Sequence, residues 1–243
     1  MVLVHGSMDR SGGMLRVRRA LQASCRVLRY DRRGYARSLP AGASTSFDQQ
    51  VDDLAGLLDG RPAVVAGHSF GGLVSLALAQ RRPDVVRAVL AYEAPAMWAS
   101  WWPGSSPGNE AMAVHDPEDA AEGFLRRMIG DATWERLPAA MRAERRAEGH
   151  ALLAEMRSVR PPAPPPYRAA AIAVPVVAAF GTETRPHHMR ATDDLARNAP
   201  SGELRVIEGA GHGAHLTHPN QFADLVRRAL ERAGEPVPAP GGT

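Results

Sequence analysis

The sequence holds a single cysteine, Cys25, which excludes an internal disulfide and any Cys-based zinc cluster. It holds no lysine either: all 29 basic residues are arginine, so Schiff-base chemistry on a lysine side chain is ruled out. No apolar run approaches the roughly 20 residues needed to cross a bilayer. The opening Met1-Val2-Leu3-Val4-His5-Gly6 lacks the basic start and small-residue cleavage site of a secretory signal. These absences predict a cytoplasmic protein with no membrane association. A concentrated basic stripe is missing too. The formal net charge is +3 and the pI near 9.6, but the arginines are interspersed with 26 acids, which argues against a nucleic-acid partner.

What is present is globular: 44% apolar and 23% charged residues over 243 positions, enough for one substantial core. Short apolar runs at residues 1–4, 25–30, 63–66, 85–92, 174–180 and 204–207 read as strands. Helical patterns at 14–22, 47–58, 73–80, 187–197 and 219–232 alternate with them. Such alternation predicts a mostly parallel sheet covered on both faces. Between residues 95 and 166 it stops. That segment carries all four tryptophans, has helical periodicity and ends in a proline-rich run, so a helical insertion over the sheet is expected at 95–166. The core is then 1–94 with 167–233, followed by a mobile tail at 234–243.

The strongest chemical signal is Gly67-His68-Ser69-Phe70-Gly71, a G-x-S-x-G directly after one apolar run and directly before a helix. A strand turning sharply into a helix projects the middle residue, and the flanking glycines remove side chains that would collide. Ser69 is the candidate nucleophile. The Phe70 N–H, at the positive end of the helix, is placed to donate to a developing oxyanion.

Together with Val2-Leu-Val-His5-Gly6, with Tyr30-Asp-Arg-Arg-Gly34-Tyr-Ala-Arg-Ser38 and with a late Gly211-His212, this elbow resembles the α/β-hydrolase superfamily over almost the whole chain. Only Ala36 departs from the loop pattern, where glycine is usual. The resemblance implies the α/β-hydrolase fold, His212 as general base, and the Ser7 N–H as second oxyanion donor beside Phe70. It also implies that the family's first two strands are missing, which leaves residues 25–30 at the sheet edge, so either a homodimer paired along that edge or a protein inclined to aggregate is expected.

The acid is less direct. Three residues after the glycine that closes the run 174–180, where the family usually carries Asp, stands Thr184, with Glu183 beside it. Some members carry the acid after the preceding strand, and there Glu93 follows Ser69 by one helix and one strand, which returns the chain to the same sheet edge. Glu93 is therefore the candidate, with Glu183 as the alternative. Trp98, Trp101 and Trp102 are expected either to wall an acyl pocket or to pack the insertion. His187 either lines that pocket or opens a helix. No metal and no organic cofactor is expected.

The implied activity is that of a carboxylesterase-type serine hydrolase, cleaving the ester or lactone bond of a small acyl substrate. Acyl transfer, thioester or carbon-carbon bond hydrolysis on the same triad, and a non-catalytic ligand-binding homologue, remain open alternatives.

Overall fold

The computed structural model describes residues 1–161 and 163–234, so the tail expected at 234–243 lies outside the described residues apart from Gly234. Contacts divide the chain into two compact units, 1–30 with 51–96 and 166 onward, and 31–50 with 97–165.

The first unit is the α/β body. Its six strands are β1 (Val2–Val4), β2 (Leu28–Arg29), β3 (Ala63–His68), β4 (Val86–Tyr92), β5 (Val176–Gly181) and β6 (Gly202–Ile207), in the order β2-β1-β3-β4-β5-β6 and parallel throughout. β3, β4 and β5 form the centre and are buried almost end to end, because helices cover both faces of a parallel sheet. Side chains alternate between the faces. Leu3, Val64, Ala66, Leu90, Tyr92 and Val177 share one core with α1 (Leu15–Leu21) and with Phe222, Val226 and Ala229 of α11 (Pro219–Arg232).

Two further helices pack on the strands: α3 (Phe70–Arg81) against β3 and β4, and α9 (Pro186–Asn198) against β5 and β6. α3 is buried from Phe70 through Ala79, which is why it is apolar all round rather than striped. Its one buried hydroxyl, Ser75, donates to the Gly71 carbonyl at 2.7 Å.

Residues 25–30 differ from expectation in extent: only Leu28 and Arg29 form a strand. They pair with Val2 and Leu3 at the sheet edge, and no strand covers their other side among the described residues.

The second unit contains α4 (Pro107–Met112), α5 (Pro117–Ile129), α6 (Asp131–Arg136), α7 (Ala139–Arg146) and α8 (Gly149–Ser158). Residues 31–50, assigned to the core on sequence, pack in this helical unit instead. The reason is polar. Arg32 forms a fully buried ion pair with Glu155, Tyr35 donates to Glu155 at 2.8 Å, and the Ala36 amide donates to Glu148 at 2.9 Å. α2 (Phe47–Leu58) follows this segment in the chain and precedes β3.

Candidate active site

Ser69 sits between the end of β3 and the first turn of α3 with φ 52° and ψ −123°, a conformation that L residues rarely adopt. Two close approaches maintain it. A Cβ on Gly67 would lie 2.3 Å from the Gly71 carbonyl oxygen, and one on Gly71 would lie 2.3 Å from the Val4 carbonyl oxygen. Both neighbours are backbone and cannot swing aside, so each position requires glycine. The Ser69 amide donates to the Tyr92 carbonyl at 2.8 Å, tying the elbow to the end of β4. Phe70, the first residue of α3, is buried, and Ser7 lies in the loop after β1, next to the strand that carries the elbow.

Glu93 follows β4, has φ 47° and is fully buried. Its carboxylate accepts from His212 Nδ1 at 2.6 Å, from the Thr184 hydroxyl at 2.7 Å and from the Gly181 amide at 3.1 Å. Three donors compensate a buried negative charge that would otherwise be strongly disfavoured. Since a carboxylate only accepts, His212 donates its Nδ1 proton to Glu93. Glu183 is exposed to solvent. Thr184, standing where the family usually has its acid, is thus a donor to Glu93, a role that spacing alone does not reveal.

The loop carrying His212 is held from two further sides. Tyr92 donates its hydroxyl to the Gly211 carbonyl at 2.9 Å. Burial, with the charge of Glu93 beside it, pushes the Tyr92 pKa far above its ordinary range, so the donor is retained. His68 Nε2 donates to the His212 carbonyl at 2.8 Å. Burial, with His215 and His212 alongside, holds His68 well below the ordinary imidazole range. Neutral and protonated at Nε2, it is left with a bare lone pair at Nδ1.

Imidazoles continue from here in both directions. The His188 ring lies 4.6 Å from that of His212 and 4.5 Å from that of His187, and His215 lies 4.3 Å from His68. Burial first, and then neighbouring charge, lowers both His187 and His188. Asp9, which no sequence motif singles out, lies 3.0 Å from His215.

Trp98, Trp101 and Trp102 belong to the helical unit, where each is half-buried and the last two rings lie 6.1 Å apart.

Comparison with known proteins gives this geometry its family. The sequence profile of the alpha/beta hydrolase family matches residues 1–225. A pimeloyl-(acyl-carrier protein) methyl ester esterase of Aromatoleum aromaticum is 31% identical over 186 residues, covering 68% of this chain and 72% of that protein. The protein described in the same words from Neisseria meningitidis is 27% identical over 219 residues, 79% of this chain and 78% of its own length. Among solved structures, the enol-lactonase of Burkholderia xenovorans superposes with a TM-score of 0.71 at 25% identity, over 95% of this chain and 90% of that one. The chain belongs to the alpha/beta hydrolase family.

Proposed function

We propose that the protein is a serine hydrolase that cleaves a carboxylic ester or lactone through an acyl-enzyme. The observation that carries this reading is the 2.6 Å contact between His212 Nδ1 and the buried Glu93 carboxylate, in the same unit as a serine in elbow conformation.

In this mechanism Ser69 Oγ attacks the acyl carbonyl while His212 Nε2 takes its proton. Glu93 holds the imidazole in the required tautomer and balances the imidazolium that forms. The Ser7 and Phe70 amides donate to the oxyanion, a contribution of about 3 kcal/mol for one donor. Collapse of the tetrahedral intermediate returns the proton from His212 to the departing alkoxide. Water, deprotonated by the same imidazole, then releases the acid. Relatives described as a methyl ester esterase and an enol-lactonase support an oxygen-ester bond as the one broken.

The test combines a fluorophosphonate label with a panel of p-nitrophenyl esters of differing acyl length. Wild type should label at Ser69 and turn over at least one ester, and Ser69→Ala should abolish both. Labelling elsewhere, or none in folded protein, sinks the proposal.

A further inference from the structure

We propose that Asp9, His68 and His215 form a binding site for one divalent transition-metal ion, with Zn2+ the best match to two imidazole nitrogens and one carboxylate oxygen.

The three side chains converge from separate segments of the α/β body, and one ligand atom from each lies within 4.8 Å of the others. His68 Nδ1, Asp9 Oδ2 and both ring nitrogens of His215 are buried without a hydrogen-bond partner among the described residues. Buried polar atoms of a native protein are otherwise nearly always paired. A proton shared by His215 Nε2 and Asp9 Oδ2, 3.0 Å apart, does not resolve the cluster, because His68 Nδ1, a lone pair by its tautomer, would still face no donor. One cation satisfies all three at once.

The surrounding contacts are those a metal ligand requires. His68 donates its other ring nitrogen to a backbone carbonyl, that of His212, the arrangement that fixes tautomer and ring plane in ligating histidines. Asp9 Oδ1 accepts from the Arg10 amide at 2.7 Å, which leaves Oδ2 directed at the cluster. Two nitrogens and one oxygen are borderline donors suited to Zn2+, Co2+ or Ni2+, with bonds of about 2.0–2.2 Å. Tetrahedral ligands at that radius stand about 3.4 Å apart; His215 Nε2 and Asp9 Oδ2 are 3.0 Å apart, and all three atoms lie within 4.8 Å of one another.

The position is consequential. Asp9 lies two residues after Ser7, His68 immediately before Ser69, and His215 three residues after His212. An ion here would pin together the three segments that carry the proposed oxyanion donor, nucleophile and base.

Tag-free protein, stripped with a chelator, is titrated with Co2+ and then Zn2+. One equivalent of Co2+ should bind, with visible d–d absorption of a low-coordinate nitrogen-oxygen site, and Zn2+ should displace it and raise Tm. Asp9→Asn and His215→Gln should each weaken binding at least tenfold, while His188→Gln and Ser69→Ala leave it unchanged. The last variant separates this site from the hydrolase proposal. Should either ligand variant fail to fold, X-ray absorption on the Zn2+-loaded wild type must still count two imidazoles. No saturable binding, a different imidazole count, or binding lost in His188→Gln and kept in Asp9→Asn would overturn the assignment.

Discussion

At the scale of single residues, the site is decided by which carboxylate meets His212. Glu93→Gln keeps the size of the side chain but removes the charge and favours the wrong imidazole tautomer, so ester kcat should fall by about 10³–10⁴. Glu183, exposed, has no such contact, and Glu183→Gln should stay within about twofold of wild type. Steady-state kinetics on the best p-nitrophenyl ester decides between them, and the reverse ranking moves the acid to Glu183.

His188 makes a second prediction, on stability. Its folded pKa is depressed below 6.5, chiefly by burial, so between that value and about pH 6.5 the unfolded chain binds a proton that the folded one refuses. Stability is therefore full above about pH 6.5 and lost as pH falls below it, by up to about 1.4 kcal/mol per pH unit for one imidazole. His187 and His68 are shifted in the same direction and add to the slope. In metal-free protein, urea titrations from pH 7.5 to 5 should show His188→Gln reducing that slope by one imidazole's share; an unchanged slope would mean that His188 titrates normally.

At the scale of elements, the central strands were legible because burial on both faces writes them as unbroken apolar runs, and the elbow because only glycine fits beside the Val4 and Gly71 carbonyls. The edge was harder to read. Residues 25–30 look like a full strand, yet pairing on one side alone sustains only Leu28 and Arg29, with Leu28 42% exposed. A two-residue edge offers few backbone groups to another chain, and Arg26 and Arg29 discourage approach. Light scattering at micromolar concentration is expected to show a monomer whose Leu28 and Arg29 amides exchange much faster than those of β3 and β4. A dimer with slow exchange at those amides would restore the interchain pairing that the sequence suggested.

At the scale of the whole molecule, the division into two units was only partly visible. The tryptophan-rich stretch lies in the helical unit, but the membership of residues 31–50 rests on Arg32 and Tyr35 meeting Glu155 more than a hundred positions away, and no local pattern encodes such a pairing. Thr184 was hidden for a related reason: spacing says where an acid usually stands, not that a hydroxyl there would serve an acid on the neighbouring strand.

The location of that acid bears on the order in which reactivity arises. Ser69 and Glu93 belong to a single β3-α3-β4 crossover, locked by the Ser69 amide on the Tyr92 carbonyl, whereas His212 lies 119 positions beyond Glu93. Local crossovers close early and distant contacts late. In refolding from urea, amide protection in β3 and β4 should therefore precede fluorophosphonate reactivity, which should appear only with the slowest phase, as the last strands bring in the base. Simultaneous appearance would contradict this order. On the proposed roles, a chain still folding would carry the elbow and Glu93 with no base beside them, so Ser69 would stay inert until the later strands had docked.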